Sequence, residues 1–254
     1  VLWRSIILAA GRGPDDPMAK AFDAQHKCNI PLAGKPMLQW VLDALASSQV
    51  ATPYAVVIDD PAAARDYRSI IVLPAANSAP ASALAALAKQ NHFPTLITTG
   101  DHPLLTADMI ETMLQQSERS SADILVGLAT QETIATRYPE TKRTYFNLGG
   151  TRVSGCNLFA VMTPAGLKLL ERWQDLEKNR KKPWKLVAAF GLKPIVLFAF
   201  GLLTPERAFA HLSAQLSCVV KPVFLPFAEA AMDVDKPSDH VIAERILKKR
   251  LTPA

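Results

Sequence analysis

The sequence predicts an α/β protein with a doubly wound, mostly parallel sheet, and three observations carry that expectation. Apolar, β-branched runs alternate with helical patterns through the first half of the chain. These runs are nearly continuous rather than alternating in polarity, as expected for strands covered on both faces. The first of them, Ile6-Ile7-Leu8-Ala9-Ala10, stops abruptly at Gly11 and Gly13. A buried strand feeding a glycine turn leaves bare backbone N–H groups at the carboxyl edge of a sheet, where anions bind.

Taken in order, strands are expected at Ser5–Ala10, Tyr54–Ile58, Ile70–Leu73 and Thr95–Thr98. Helices are expected at Met37–Ser47, Ser82–Gln90 and Ala107–Glu118, the last with Thr106 as its N-cap. Ala122–Leu128 reads as a further strand. The stretch from Arg137 to Arg152 is polar, charged and aromatic and ends in Asn147-Leu148-Gly149-Gly150, so it reads as a hairpin or loop over the site. A strand returns at Gly155–Phe159, and Pro164–Asn179 is a charged helix. Thr204–Leu216 is helical, Val220–Leu225 is a strand, and Val241–Lys249 is a closing helix. The organisation expected is one domain over 1–254, with a small antiparallel or loop substrate region at 131–156 and an apolar helical insertion at 180–216.

At 254 residues and 49% hydrophobic, the chain has enough apolar material for one such core and too much for global disorder. Its net charge of +5 favours anionic ligands. No ladder of basic and aromatic residues marks a single-strand nucleic-acid groove, so no nucleic-acid partner is expected. Three cysteines, Cys28, Cys156 and Cys218, without CxxC spacing, argue against thiolate metal sites and disulfides and suit a reducing cytoplasm. No signal peptide is expected. The segment Trp184–Leu203 is strongly apolar but broken by Lys185, Gly191, Lys193 and Pro194, which disfavours a membrane-spanning helix. With Lys178, Arg180, Lys181 and Lys182 just upstream of Trp184, a peripheral contact of 180–203 with the inner membrane face is the lesser of two readings. The plainer reading is packed helices or a dimer surface, as apolar stripes usually are.

The loop after the first strand carries Lys20, Lys27 and Lys35, which can reach bound phosphates as point charges. Asp101 ends an apolar strand beside Pro103, where a cation ligand belongs in an open α/β sheet; its plainer reading is a turn-forming aspartate.

Three motifs, in order, now resemble a known family. Leu8-Ala9-Ala10-Gly11 with Lys27 and Pro31-Leu32-Ala33-Gly34-Lys35-Pro36-Met37-Leu38 is similar to the N-terminal signature of nucleotidyltransferases. Thr98-Thr99-Gly100-Asp101-His102-Pro103-Leu104-Leu105 and Met232-Asp233-Val234-Asp235-Lys236-Pro237-Ser238-Asp239 resemble that family's later motifs. More narrowly, they are similar to the branch with molybdenum-cofactor guanylyl- and cytidylyltransferases (MobA-like NTP transferases) and sugar-phosphate nucleotidyltransferases.

The resemblance implies a Rossmann-like, GT-A-type nucleotidyltransferase fold. It also implies transfer of a nucleotidyl group from a nucleoside triphosphate to a phosphorylated small molecule, with Mg2+ and release of pyrophosphate. By the same resemblance, Lys27 stabilises charge at the α-phosphate, Asp101 holds Mg2+ with a second carboxylate from Asp233 or Asp235, Asp233 being the favoured one, and Leu8, Ala9, Ala10, Gly11 and Gly13 bind nucleotide. Ser82 either bonds a base edge or caps its helix, Asn157 lies near the acceptor, and Asp235 caps the helix that Pro237 begins. The family's phosphate-gripping arginine after the second glycine is missing, because Gly13 is followed by Pro14-Asp15-Asp16-Pro17-Met18. Arg12, or less well Lys20, is the substitute, and Asp15 and Asp16 would repel a triphosphate unless a metal or lysine intervenes. Two alternatives stay open. One is a glycosyltransferase of the same fold, for which Pro103 stands where a second aspartate is wanted; the other is a catalytically silent nucleotide-binding or membrane-associated module.

Overall fold

The computed structural model describes residues 1–11, 13–179, 197–198 and 201–252. Arg12 and most of the apolar segment 184–203 lie outside the described residues. The chain divides into two compact units, Val1–Thr112 with Met232–Ala254, and Met113–Ala231.

The first unit begins with β1 (Arg4–Leu8), followed by a short helix α1 (Pro17–Ala21) inside the loop. The sequence alone marks this stretch as a loop. Asp16 is what makes a helix of it, because its carboxylate accepts from the Met18 and Ala19 N–H groups while Pro17 fills the first helical position. Next comes a tight hairpin of β2 (Pro31–Leu32) and β3 (Lys35–Pro36), turned by Ala33 and Gly34, both at positive φ (47° and 87°). Helix α2 (Met37–Ala46) then buries Met37, Leu38, Val41, Leu42 and Leu45 along one face.

β4 (Tyr54–Ile58), β5 (Ile70–Pro74), α3 (Ala79–Gln90) and β6 (Thr95–Thr99) complete this unit's sheet. All its pairs are parallel, in the order β6-β1-β4-β5. From β1 the chain builds outward to β4 and β5, then returns to place β6 on the other side of β1. The carboxyl ends of β1 and β6 are therefore a topological switch point, where open α/β sheets bind ligands. Ile6, Ile7, Val56, Val57, Ile58, Leu96 and Ile97 are at most 1% exposed, which explains why these strands read as unbroken apolar runs.

α4 (Ala107–Glu118) carries the chain into the second unit, with Met109 N–H donating to Thr106 Oγ1 as expected of that cap. There β7 (Ile124–Thr130), α5 (Gln131–Arg137), β8 (Phe146–Leu148) and β9 (Thr151–Val161) follow. β8 and β9 form the expected hairpin, and β7 pairs β9 antiparallel with a shift of register between Val126 and Leu128. α6 (Leu167–Asn179) and α7 (Pro205–Leu216) precede β10 (Val220–Phe224), which pairs β7 in parallel. α8 (Pro237–Leu251) returns to the first unit. The α/β class with mostly parallel pairing thus holds, the antiparallel pairs described being β2–β3, β7–β9 and β8–β9. Among the described residues, no helix is long and apolar enough to cross a membrane.

Asp123 holds the second unit's strand ends together. Its carboxylate accepts from Thr163 Oγ1 at 2.6 Å and from the Val219 N–H at 2.7 Å. Gly166 packs against the same residue, and an added Cβ would lie 2.6 Å from the Asp123 carbonyl oxygen. Because the obstacle is backbone, Gly166→Ala is expected to cost about 1–3 kcal/mol by overpacking, read from urea unfolding midpoints. A loss within about 0.5 kcal/mol, the level of an ordinary surface change, would show that this contact yields.

Candidate active site

The site grows from the switch point of the first unit. β1 ends at Leu8, whose carbonyl accepts from Gly100 N–H at 2.8 Å, while Ala9 N–H donates to Val57 O at 2.8 Å. Gly100 is required by this crowding, since a Cβ there would sit 3.0 Å from Ala9 Cβ and 3.2 Å from Cys28 Sγ. Asp101 follows at once, and its carbonyl accepts from Val234 N–H at 2.9 Å, which ties the 233–235 segment to the same sheet edge.

Lys27 opens a 3₁₀ turn, Lys27–Asn29, that other groups fix in place. Asn29 Nδ2 donates to Ala63 O at 3.1 Å, Tyr67 Oη donates to Asn29 Oδ1 at 2.8 Å, and Cys28 Sγ donates to Ala9 O at 3.3 Å. From this turn the Lys27 ammonium reaches Asp101 Oδ2 at 2.6 Å and Asp235 Oδ1 at 2.9 Å. Burial works to lower the Lys27 pKa, and the two carboxylates, Asp101 first, outweigh it and hold the ammonium above the usual lysine range. Cys28 is no nucleophile, because burial first and the nearby Asp101 carboxylate next push its thiol far above its ordinary value.

Lys27 and Asp101, both expected here, are therefore brought together. Asp235 joins them, and this corrects its reading as a helix cap. α8 is preceded by Lys236 in an extended conformation with no side-chain cap, and Asp235 offers its carboxylate to Lys27 instead. Its N–H is taken by Asp239 Oδ2 at 3.2 Å. Asp233, the other expected ligand, is half-buried two residues before it.

The glycine turn differs from a bare anion cradle. Gly11 N–H already donates to Asp59 Oδ1 at 2.8 Å. Ala10 is exposed, and Gly13, at φ 71°, has open space around it. Asp16 is buried as the cap of α1, and Asp15 pairs with Lys20 at 2.6 Å, so a lysine does intervene at one of the two aspartates. Lys35 supports the scaffold, with its ammonium 2.6 Å from Asp43 and over the Trp40 ring.

Ser82 is neither exposed nor a cap. Ser78 caps α3, while the buried Ser82 Oγ accepts from Ala76 N–H at 2.9 Å and so braces the loop before the helix. In the second unit, Asn157 stands at φ 48° in β9, opposite the register shift of β7. Arg137 lies 3.5 Å from the buried Glu229, a structural ion pair.

Asp59 and His26 escaped the sequence reading. Asp59 follows β4, which neighbours β1, so the strand order alone places it at the glycine turn; His26 carried no signal beyond standing next to Lys27.

Whether these residues suit a divalent cation is tested by Asp101. One of its oxygens is on Lys27, and the other, Oδ1, is buried without a hydrogen-bond partner among the described residues. An orphaned carboxylate oxygen of this kind calls for a ligand. Among the described residues no group of three or more His, Cys, Asp or Glu is gathered for a metal. Mg2+ asks for no such cage, because one or two carboxylates complete a shell made mostly of water and phosphate oxygens. The residues fit that ion.

The family follows from the match of most of the chain. The chain belongs to the MobA-like NTP transferase domains, whose model matches residues 5–190. The fold is shared with a hypothetical transferase from Thermus thermophilus at 25% identity and a TM-score of 0.80, covering 94% of this chain and 100% of that one. A CMP:2-keto-3-deoxy-manno-octonic acid synthetase solved with CTP has a TM-score of 0.61 at 14% identity, covering 99% and 100%. Molybdopterin-guanine dinucleotide biosynthesis protein A from Archaeoglobus fulgidus gives 0.51 at 16%, covering 97% and 99%. The last two are likenesses of fold. No curated protein matches the sequence.

Lys27→Met leaves Asp101 and Asp235 without the cation they share. A stability lowered by about 1–3 kcal/mol at neutral pH, read from unfolding midpoints, is expected, the scale of hydrogen bonds to charged groups. The pH dependence follows from the raised folded pKa of Lys27: its contribution is full below the unfolded lysine value and is lost as pH rises through the folded one. The gap between wild type and variant should stay level from about pH 7 to 9 and close only above about pH 10.4. An equal or higher midpoint for the variant would mean that desolvation of the lysine cancels the pair.

Proposed function

We propose that the protein is a Mg2+-dependent nucleotidyltransferase that joins a nucleoside triphosphate to a phosphorylated small molecule and releases pyrophosphate. The observation that carries this reading is the placement of Lys27 on Asp101, at the switch point, with the second oxygen of Asp101 left unpaired. Family membership supports the reaction class. In the transfer, an acceptor phosphate oxygen bonds to the α-phosphorus as the bond to the bridging oxygen of the β-phosphate breaks, and both electrons leave with pyrophosphate.

Little covalent help is needed; the protein has to orient the reactants and neutralise charge. Lys27, kept protonated by its two carboxylates, is a cation on a flexible stem that can swing from Asp235 to an α-phosphate oxygen and stabilise the charge developing there. Asp101 Oδ1 and Asp233 would hold Mg2+, which when bound adds charge neutralisation on the phosphates. Asp101 thus has two roles, one oxygen orienting Lys27 and one open to the ion. The backbone of Leu8–Gly13 remains the proposed seat of the nucleotide, with Arg12 its proposed phosphate grip and Asn157 a proposed acceptor contact. Ser82 enters through the loop it braces.

The test is pyrophosphate release from each of the four common ribonucleoside triphosphates with Mg2+, against a panel of phosphorylated acceptors, for wild type and Asp101→Ala. Turnover that requires one triphosphate and one acceptor, and that falls by at least about 10²-fold in the variant, is expected. Tight binding of a triphosphate with no release across the panel would instead support a silent nucleotide-binding module.

A further inference from the structure

A buried histidine links the two loops that would hold the nucleotide. His26, 5% exposed, accepts the Cys28 N–H at Nδ1, 3.1 Å away, and so caps the turn that begins with Lys27. Its Nε2 lies 3.0 Å from Asp59 Oδ1, the same oxygen that takes the Gly11 N–H. A backbone N–H can only donate, so Nδ1 must be the unprotonated nitrogen, and the neutral ring then carries its proton on Nε2 and donates it to Asp59. The partners thus fix one tautomer, and in that tautomer the ring bridges the lysine turn and the glycine turn.

Three further observations show a built relay. Asp59 is held ionised: burial works to raise its pKa, and the bonds from His26 and the Gly11 N–H overcome it and keep the carboxyl below the usual range. Gly11 is shaped to the ring, since an added Cβ would meet His26 Nε2 at 3.1 Å. The lysine turn has its other braces at Asn29 and Cys28, which leaves His26 as the side chain that joins it to Asp59.

We propose that His26 and Asp59 are positioning residues, a relay that holds Lys27 and the glycine turn in fixed register for the triphosphate. This rests on the nucleotidyl-transfer reading above. The two ends of the relay have separable tasks. The Nδ1 end sets the turn that delivers Lys27, so it governs turnover. The Nε2–Asp59–Gly11 end sets the glycine turn, so it governs how well nucleotide is held.

Two amides separate these ends, because asparagine places its oxygen near Nδ1 and glutamine places its NH2 near Nε2. His26→Asn keeps the acceptor for Cys28 N–H and drops Asp59; His26→Gln does the reverse. Amide hydrogen exchange at Cys28 and Gly11, with kcat and nucleotide KM, is measured for both variants, together with Asp59→Ala and unfolding midpoints. His26→Gln should expose the Cys28 amide and lower kcat by up to about 10²-fold, the scale of a small misplacement, with nucleotide KM near wild type. His26→Asn should keep the Cys28 amide protected and kcat near wild type while raising KM, and Asp59→Ala should raise KM and expose the Gly11 amide.

Unchanged Cys28 protection in His26→Gln would overturn the relay. So would equal loss of kcat in both amide variants in step with their unfolding midpoints, which is what a merely structural histidine would give. The exchange measurement does not depend on activity. Wild type that shows the exchange pattern but transfers no nucleotide would sink the functional reading and leave the lock between the two turns standing.

Discussion

The site depends on one shared cation. The Lys27 side chain is 14% exposed, and its ammonium lies within 3 Å of two carboxylates and joins segments far apart in the chain. One is the lysine turn, one follows β6, and one precedes α8. Without a carboxylate partner, burial would press Lys27 to shed its proton; without Lys27, Asp101 would face an orphaned oxygen on both sides. Each group makes the other tolerable, and the arrangement still leaves Asp101 Oδ1 unsatisfied. The half-satisfied carboxylate of Asp101 supports the cation site proposed above.

Close approach makes this pairing possible. Asp101 can lie beside the lysine turn only because Gly100 lets the end of β6 sit against Ala9 and Cys28. Small side chains at the carboxyl ends of β1 and β6 therefore serve the electrostatics directly. The same economy of size explains Gly11, whose missing Cβ leaves room for the His26 ring. These residues read in the sequence as openings for phosphate. Part of their use is to admit the protein's own side chains.

Much of the scaffold was legible because it follows local rules. Tyr54–Ile58 and Ala107–Glu118 fall where the patterns put them, since five fully buried residues in a row and a threonine cap are both short-range signals. Lys27 and Asp101 were legible through motif context. What escaped was set by tertiary structure. Asp235 looked like a cap because Pro237 follows it, yet its carboxylate goes to a lysine 208 positions away. Ser82 looked like a cap or a base reader, but Ser78 takes the cap and Ser82 turns inward to Ala76. Asp59 and His26 carry no local signature at all. Their roles come from β4 lying next to β1, and only strand order reveals that.

Charge at the switch point then constrains how a nucleotide arrives. Among the described residues, Asp59, Asp101 and Asp235 bring three carboxylates to this edge, while Lys27 is the cation placed among them. In a chain of net charge +5, the described side chains gathered at this edge are thus mostly acidic. A bare triphosphate would be repelled there, and the field inside a partly buried site is weakly screened. A triphosphate already paired with a divalent cation would not be, because the ion neutralises phosphate and carboxylate together. On the nucleotidyl-transfer reading proposed above, the unpaired oxygen of Asp101 would be the contact for that ion. The acidic character of the site is therefore part of how it would select its substrate: as the metal complex of a nucleotide, with Lys27 released from Asp235 as the phosphates take its charge.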